Sequence, residues 1–405
     1  MNSQILQPFG LKSQPLAFKL MPPLALYVHV PWCVRKCPYC DFNSHAVKPA
    51  LSMSKGDGLP EDDYIEALLR DLELSLPLVW GRRVVSVFIG GGTPSLLGGQ
   101  AVGKLLTGLR MRLPLEHNAE ITLEANPGTA EAERFAAYRD AGVNRLSLGI
   151  QSFNDAHLAA LGRIHDAAEA RRAIELAQRH FDNFNLDLMY ALPNQTLAEA
   201  EADLDAALAF APPHLSCYHL TLEPNTLFAH QPPPLPDDDE SAAMQQRLGE
   251  KLAVAGYLHY ETSAYAKARH QARHNQNYWQ FGDYLGIGAG AHGKLSFHDK
   301  VIRQARPKQP QAYLDAVARG EPVQSEHALT RDDLVFEFMM NALRLNQGFD
   351  AALFEERTSL PLILLRRPLA EAERRGLLVQ GDGRIVPTEL GRRFLNDLLE
   401  IFLKD

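Results

Sequence analysis

Short apolar runs alternate with longer amphipathic stretches over residues 24–265 of this chain. Six runs are nearly continuous in apolar side chains, which is typical of parallel strands buried on both faces. Helix-like stretches follow them, for example at 61–76 after the first run and at 130–142 after the third. The alternation predicts βα units around one parallel sheet. The six runs are LALYVHV (24–30), VVSVFIG (84–90), AEITLEA (119–125), RLSLGIQ (145–151), FNLDLMYAL (184–192) and HLSCYHLTL (214–222).

Six such units in succession favour an α/β fold built as an incomplete, TIM-like (β/α)6 barrel, although the pattern alone leaves a doubly wound sheet open. From residue 328 the pattern becomes helical and includes a short hairpin around GDGR, which predicts a small winged-helix-like domain with a packing role. Gly, Pro and acidic residues at 45–60 and 230–240 predict exposed loops. We expect four parts: an N-terminal extension (1–23), the barrel (24–265), a connecting segment (266–327) and a mainly helical C-terminal domain (328–405).

Composition and charge narrow the class of protein. The 405 residues are 46% hydrophobic and 22% charged, which is typical of a globular protein. The net charge of -8, without a long basic run, argues against nucleic acid as a partner. The N-terminus does not resemble a secretory signal, and no run approaches the roughly 18 apolar residues that span a bilayer. We therefore expect a cytoplasmic protein with at most peripheral membrane contact.

Three of the four cysteines lie within eight residues, as Cys33, Cys37 and Cys40 in the spacing C-x3-C-x2-C. In a reducing compartment, clustered cysteines indicate a metal site or catalysis before disulfides. Three thiolates on a [4Fe-4S] cluster leave one iron without a protein ligand. That iron is free to bind S-adenosylmethionine, whose sulfonium bond an electron from the cluster can break.

Two other interpretations of the cysteines stay open at this point. The three thiols could hold zinc with His29 or His45 as the fourth ligand, or they could be buried apolar residues. Zinc usually takes its cysteines in C-x2-C pairs, so the asymmetric spacing favours the iron-sulfur cluster. The remaining cysteine, Cys217, lies in a strand pattern, which favours a small buried apolar role.

The chain resembles the radical S-adenosylmethionine superfamily, and within it oxygen-independent coproporphyrinogen III oxidase and its relatives. The resemblance covers nearly the whole chain. It rests on YVHVPWCVRKCPYCDF, GGGTPS, EANPG, GVNRLSLGIQSF, NLDLMYALPNQT and the C-terminal module. GGGTP or EANP alone would be weak, but the combination is specific. It implies a [4Fe-4S] cluster on the three cysteines and S-adenosylmethionine beside it.

The resemblance also implies a set of residues that bind S-adenosylmethionine, most of them at or near the carboxyl ends of predicted strands, where the active sites of parallel barrels lie. The glycine run from Gly90 receives the methionine end, and Arg163 pairs with its carboxylate. Each has a simpler interpretation as a tight turn, a surface arginine or a core aromatic residue. The implied residues are Tyr27, Tyr39, Gly91, Gly92, Thr93, Glu124, Gln151, Arg163 and Asp187.

Two features separate this chain from the oxidase pattern. The oxidases resemble C-x3-C-x2-C-x-C, whereas this chain has Phe42 at the position of the last cysteine. It also carries the motif H-N-x-x-Y-W, as His274, Asn275, Tyr278 and Trp279. Both features are similar to the haem-chaperone (HemW) branch of the family. The imidazole is able to ligate haem iron and the two aromatic rings are able to stack on a porphyrin, although the motif could also be a packing loop.

The resemblance therefore implies a haem carrier, in preference to an enzyme. Such a carrier delivers haem to acceptor proteins such as respiratory cytochromes. The alternative is a radical oxidase that converts the propionates of coproporphyrinogen III to vinyl groups, and a radical enzyme with an unrelated substrate stays open. Arg273 is a candidate partner for a haem propionate, and His292 is a second candidate imidazole near the site. Whether the protein is a monomer or a homodimer is left open.

Overall fold

The computed structural model describes residues 16–47, 59–128 and 133–403. Parts of the predicted N-terminal extension (1–15), of the 45–60 loop (48–58) and of the third helical stretch (129–132) lie outside the described residues. The strands are β1 (Leu24–Val30), β2 (Trp32–Cys33), β3 (His45–Ala46), β4 (Val84–Gly91), β5 (Leu115–Ala125), β6 (Arg145–Gln151), β7 (Phe184–Tyr190), β8 (His214–His219), β9 (Leu258–Glu261), β10 (Ala264–Ala266), β11 (Asp283–Ile287), β12 (His292–Ser296), β13 (Val301–Ala305), β14 (Ser325–Ala328), β15 (Phe349–Asp350), β16 (Leu378–Gly381) and β17 (Arg384–Pro387).

Helices alternate with these strands, and several of them begin at a residue whose side chain caps the helix. Asp166 and Thr196, for example, each accept a hydrogen bond from the third residue of the helix they precede, and the glutamate at that position bonds back. The helices are α1 (Glu61–Ser75), α2 (Gly99–Arg112), α3 (Phe135–Ala141), α4 (Asp155–Ala160), α5 (Ala167–His180), α6 (Leu197–Leu208), α7 (Leu227–His230), α8 (Asp238–Val254), α9 (Arg273–Trp279), α10 (Pro310–Ala318), α11 (Arg331–Ala342), α12 (Ala351–Thr358), α13 (Arg366–Arg374), α14 (Glu389–Arg393) and α15 (Leu395–Glu400).

The six predicted strands are present as β1 and β4 to β8, and they lie side by side in parallel in the order of the chain. They form the middle of a twelve-stranded sheet whose outermost strands are β14 and β9. The two outermost strands do not pair with each other in the described part of the chain, so the prediction of an incomplete α/β barrel is confirmed. Strand β7, the fifth of the six predicted strands, ends at Tyr190 and not at the predicted residue 192. It ends there because Ala191 adopts a left-handed backbone with φ 57°.

Residues 266–327, expected to connect the barrel to the C-terminal domain, themselves extend the sheet. Strand β11 pairs in parallel with β1 on the side opposite β4, so it is a seventh parallel strand. Strands β12, β13 and β14 then continue the sheet in antiparallel order. Helix α9 precedes β11, so the H-N-x-x-Y-W motif belongs to the wall of the barrel.

The C-terminal residues form a smaller helical unit with its own apolar core. In this core the ring of Phe338 meets the rings of Phe349 and Phe354 edge to face, each with a centroid distance of 5.2 Å. The predicted hairpin is β16 and β17, whose turn places Asp382 and Gly383 at φ 50° and 75°. Two successive positive φ values are what a two-residue hairpin turn requires, which explains the Asp-Gly pair. No helix in the described residues is both long and apolar enough to cross a bilayer.

Candidate functional site

Residues 31–44 carry the three cysteines and are called the cysteine loop below. This loop folds over the carboxyl end of β1. Cys33 ends β2, which pairs with β3 through Trp32 opposite His45 and Cys33 opposite Ala46. Within the loop, the amide of Cys40 donates to the carbonyl of Cys37 at 3.2 Å. The three thiols are half-buried and free of disulfides. The loop therefore holds three reduced sulfurs together at the end of the barrel where active sites of this fold class lie.

Two polar groups from the barrel donate hydrogen bonds to the sulfurs. The hydroxyl of Thr93 lies 3.4 Å from Sγ of Cys33, and Nη1 of Arg163 lies 3.8 Å from Sγ of Cys37. Burial raises the pKa of Cys33, and it also raises the pKa of Cys40. Since a metal ligand must be a thiolate, a hydroxyl and a guanidinium at the sulfurs favour the ligating form. These donors fit the thiolates of an iron-sulfur cluster, where hydrogen bonds to sulfur are a usual feature.

The nearby histidines hold the loop in place. His29 lies 2.8 Å from the Tyr27 hydroxyl through Nδ1 and 2.8 Å from the Asn43 carbonyl through Nε2. His45 contacts the Asn43 side chain at 3.3 Å and the Lys308 carbonyl at 3.2 Å through Nε2. Among the described residues, no three His, Cys, Asp or Glu side chains converge on one metal ion. A [4Fe-4S] cluster binds each thiolate to a different iron, so its ligands need not converge on one point.

The glycine run at the end of β4 is required by its close approach to the β1–β2 connection. A Cβ on Gly91, where φ is 117°, would lie 2.6 Å from the imidazole of His29. A Cβ on Gly92 would lie 2.5 Å from the carbonyl of Trp32. Any other residue at these positions would push the cysteine loop away from β4. The simple tight-turn interpretation is therefore insufficient for this run.

Two carboxyl groups, on β5 and β7, lie near enough to each other to interact electrostatically. Glu124 on β5 is half-buried and accepts the Gly91 amide at 3.0 Å. Burial, followed by the charge of Asp187 on β7, raises the pKa of Glu124 to about 8. Asp187 accepts hydrogen bonds from Ser147 and Asn185 at 2.9 and 2.8 Å, and burial raises its pKa. A cationic, hydroxyl-bearing ligand would satisfy this carboxyl pair.

Arg163 ties the cysteine loop to two strand ends, through the Asn126 side chain at 2.6 Å and the Gly149 carbonyl at 2.9 Å. Its Nε is buried with no hydrogen-bond partner among the described residues. Asn126 also donates to the Thr93 hydroxyl at 3.0 Å. It therefore connects Thr93, the donor to Cys33, with Arg163, the donor to Cys37. Asn126 belongs to the EANPG motif, and the sequence alone predicted no role for it.

The other two predicted nucleotide residues lie at the edge of this cluster. Gln151 ends β6 in a left-handed backbone with φ 68°, which is uncommon for a residue other than glycine. Tyr39 packs against Phe228 of α7, with ring centroids 6.4 Å apart. Cys217 is buried in the main core, and burial raises its pKa to about 12. Cys217 therefore takes no part in the site.

A cavity of about 660 Å³ opens beside the cysteine loop. Its walls include Tyr27, Gly91 and Glu124 from the predicted nucleotide site, and Tyr278 and Trp279 from the H-N-x-x-Y-W motif. The fold therefore brings together two sets of residues that lie about 150 positions or more apart in the chain. The same cavity therefore borders both the predicted nucleotide site and the H-N-x-x-Y-W motif.

The rest of the cavity wall includes aromatic and basic groups, together with the carboxylate of Asp41. Phe42 lines it from the cysteine loop with a side chain 61% exposed, and His292, Arg303 and Lys308 line it from the β11–β14 side. The indole Nε1 of Trp279 is buried without a hydrogen-bond partner among the described residues. Such a wall suits a flat apolar ligand that carries acidic groups.

His274 does not line this cavity. The residue is 5% exposed and its ring stacks on Phe88, with centroids 4.3 Å apart. Its Nδ1 lies 2.7 Å from Oε1 of Glu120, a carboxylate that also accepts the amides of Arg273 and His274. Burial alone would raise the pKa of Glu120, but its bond from His274 outweighs this and holds the pKa well below its ordinary value.

The state of this pair follows from the environment of each partner. Burial lowers the pKa of His274, so the imidazole is neutral and donates its Nδ1 hydrogen to an ionised Glu120. Arg273 forms an ion pair with Glu116 at 2.9 Å, with both side chains about one-third exposed. The start of α9 is therefore bound to β5, and only its far end reaches the cavity.

Comparisons with known proteins agree with this architecture. Residues 27–207 match the model of the Radical SAM superfamily, and residues 329–394 match that of the HemN C-terminal domain. The solved structure titled "Coproporphyrinogen III oxidase (HemN) from Escherichia coli is a Radical SAM enzyme" superposes with a TM-score of 0.78 at 25% identity. That match covers 94% of this chain and 90% of the oxidase chain.

Curated relatives are similar over almost their whole length. The protein named "Heme chaperone HemW" of Escherichia coli (strain K12) is 49% identical over 387 residues, which covers 95% of this chain and 99% of the relative. The protein of the same name from Haemophilus influenzae is 49% identical over 391 residues, with the same coverage. The one from Bacillus subtilis (strain 168) is 32% identical over 385 residues, covering 93% and 98%. The chain therefore belongs to the HemW family of the radical S-adenosylmethionine superfamily.

Proposed function

We propose that this protein is a haem chaperone, which binds haem and transfers it to acceptor proteins while carrying a [4Fe-4S] cluster and S-adenosylmethionine. The observation that carries the proposal is the shared cavity. Tyr278 and Trp279 of the motif line it together with Phe42 of the cysteine loop. The relatives that are 49% identical over nearly their full length, and that bear the name heme chaperone, support it.

The cavity suits haem in size, shape and charge. Its volume of about 660 Å³ lies within the range of about 300–1,000 Å³ that is usual for cofactor pockets. Phe42, Tyr278 and Trp279 line the cavity with aromatic side chains that would pack against the porphyrin plane. A propionate would accept a hydrogen bond from the ammonium of Lys308, which is exposed on the same wall.

The cluster and the nucleotide fit the adjoining strand ends. Cys33, Cys37 and Cys40 would hold the cluster, and Thr93 and Arg163 would donate to its thiolates. Glu124 and Asp187 would bind the hydroxyl-rich, cationic nucleotide, and Gly91 lets β4 approach the His29 imidazole beside that site. When bound, these groups supply one-electron chemistry at a sulfonium. The chain's own part is to orient the nucleotide and to place it next to the haem cavity.

A coproporphyrinogen oxidase activity is the second candidate, favoured by the shared fold with HemN at a TM-score of 0.78. Phe42 is the feature that argues against it. The residue stands where the oxidase pattern has a further cysteine, and in the structure its ring lines the cavity. A phenyl ring there offers a stacking face and no thiol, which favours binding of a porphyrin over chemistry on it.

Transfer to acceptors such as respiratory cytochromes, from the cytoplasm and with at most peripheral membrane contact, stays a prediction of the sequence. The same holds for the choice between monomer and homodimer.

The test is anaerobic purification followed by measurement of iron, sulfide and haem, and by titration with haem. We expect iron and acid-labile sulfide, a Soret band that shifts on binding, and no protoporphyrinogen from coproporphyrinogen with reductant and S-adenosylmethionine. Replacing Cys33, Cys37 and Cys40 together by Ser should abolish the iron and sulfide, whereas Cys217→Ala, the matched control, should retain both. Zinc in place of iron, or the absence of a Soret shift, would contradict the proposal.

A further inference from the structure

An imidazole that ligates haem iron must stand clear of its neighbours. The iron lies at the centre of a wide planar macrocycle, so the ligating nitrogen has to project beyond the surrounding side chains across the width of that plane. The histidines near the cavity can be compared by this requirement. We compare His29 and His292, which line the cavity, with His274, which belongs to the H-N-x-x-Y-W motif.

His274 does not meet the requirement, although it belongs to the H-N-x-x-Y-W motif. A carboxylate on one ring nitrogen is the usual second partner of a metal-binding imidazole, so the bond to Glu120 is by itself compatible with ligation. The side chain is nevertheless buried. Phe88 covers one face of the ring, and Tyr278 approaches it edge-on with centroids 6.4 Å apart. The ring is therefore enclosed, and a wide macrocycle cannot approach its other nitrogen, Nε2.

His29 lines the cavity but is engaged through both nitrogens. It is 4% exposed, and its two ring nitrogens bond to the Tyr27 hydroxyl and the Asn43 carbonyl. These bonds fix the cysteine loop. Ligation of iron by His29 would break one of them and leave a buried polar group unpaired.

His292 meets the requirement. It lines the cavity, it is exposed, and its ring forms no hydrogen bond within the part of the chain that the structure describes. The residue directly opposite on β13 is Ala305, whose small side chain leaves the imidazole uncovered. Its backbone is fixed, because β12 approaches β11 so closely that a Cβ on Gly286 would lie 2.0 Å from the His292 carbonyl.

The strand around His292 also suits an acidic porphyrin. Lys294 lies two residues along β12, on the same face, and pairs across the ladder with Arg303. Both cations line the cavity with His292. Lys294 is paired with buried Asp283, and Arg303 is paired with Glu337, so these two cations contribute to the electrostatic potential without being free to bind a ligand carboxylate. Lys308 is exposed and forms no ion pair among the described residues, so its ammonium can bind a carboxylate.

We infer that His292 is the axial ligand of haem iron, and that His274 is a positioning residue that holds α9 so that Tyr278 and Trp279 form the wall of the cavity. This inference rests on the proposed function, since it names the ligand and the support within the same haem site. It gives different roles to His274, which belongs to the motif, and to His292, which lines the cavity.

The test is a titration of the full-length, anaerobically prepared protein with haem, followed by absorption and electron paramagnetic resonance spectroscopy. The variants are His292→Ala and His274→Ala, and the control is His327→Ala, an exposed histidine on β14. We expect His292→Ala to lose the histidine-ligated signal and at least tenfold in affinity, and added imidazole to restore the signal. His274→Ala should bind haem more weakly yet keep that signal, and imidazole should not change it.

The outcomes separate the inference from the proposed function. A parent protein that binds no haem would overturn the proposed function and the inference with it. A parent that binds haem while His292→Ala keeps the same signal and affinity would overturn the inference alone. Rescue of His274→Ala by imidazole would also overturn it. If His274→Ala does not fold by circular dichroism, Glu120→Gln serves as the positioning variant, with the same expectation.

Discussion

Nδ1 of His274 lies 2.7 Å from Oε1 of Glu120, and this contact joins helix α9 to strand β5. Four residues further along β5, and therefore on the same face of the strand, Glu124 accepts the amide of Gly91 at 3.0 Å. One strand thus carries the carboxylate that holds the aromatic helix and the carboxyl group that faces the predicted nucleotide site. The two sites share a structural support.

Glu120→Ala should destabilise the protein strongly. The change leaves the neutral His274 imidazole and two backbone amides of α9 without their buried acceptor, and each buried donor left unsatisfied typically costs about 1–3 kcal/mol. Glu116→Ala is the matched control on the same strand. It breaks a partly exposed ion pair with Arg273, which is worth no more than about 1 kcal/mol. Urea unfolding of both variants measures the difference, and similar losses would show that the Glu120 contact is dispensable.

Gly91→Ala should weaken S-adenosylmethionine binding and destabilise the cysteine loop. The added Cβ would lie 2.6 Å from the His29 imidazole at a φ of 117°, so strain and overpacking together should cost about 2–4 kcal/mol. Gly103→Ala in helix α2 is the control. Its Cβ would meet only Ala141, at 3.9 Å, and alanine is favoured in a helix by up to about 1 kcal/mol. Calorimetry with S-adenosylmethionine and thermal unfolding test the pair; equal ligand affinity in both variants would contradict the prediction.

Glu124→Gln should change how the stability of the ligand-free protein depends on pH. The folded pKa of Glu124 is raised from 4.5 to about 8, so the folded protein holds a proton that the unfolded chain releases. The parent therefore loses stability as the pH rises from about 4.5 through about 8. One pKa unit corresponds to about 1.4 kcal/mol. Since Glu124 is partly exposed and solvent screening reduces its electrostatic interactions, we expect the variant to gain about 1–2 kcal/mol relative to the parent between pH 5 and pH 9.

Urea unfolding at both pH values measures this gain, and calorimetry at pH 7 should show weaker S-adenosylmethionine binding by the variant. Parallel stability profiles for the parent and Glu124→Gln would show that the carboxyl group titrates normally.

Arg163→Lys should lower the retention of the cluster and the affinity for S-adenosylmethionine. The guanidinium reaches Cys37, Asn126 and Gly149 at once, and the single ammonium of lysine cannot reproduce that geometry. Arg172→Lys, at an exposed position of helix α5, is the control. Iron and sulfide content after anaerobic desalting, with the electron paramagnetic resonance signal of the reduced cluster, is the measurement. A cluster as stable as that of the control would refute the role of Arg163.

Local patterns in the sequence were sufficient for the repeating part of the fold. The six buried strands and helices such as α1 were predicted because nearly continuous apolar runs and 3.6-residue periodicity are properties of neighbouring residues. Strand β11 was missed, because its run of five residues lies in a glycine-rich stretch and its partner β1 is about 260 positions away. Pairing between such distant segments leaves no local signal.

The candidate site divides in the same way. The spacing of Cys33, Cys37 and Cys40 and the order of the motifs along the chain determined the family and the kind of chemistry that we propose, since ligand type and spacing are local. Only the tertiary structure decided that Asn126 links the donors of two cysteines, that His274 is buried against Phe88, and that His292 faces the cavity. Exposure and direction depend on which distant strands and helices pack around a side chain, and a motif does not encode that packing.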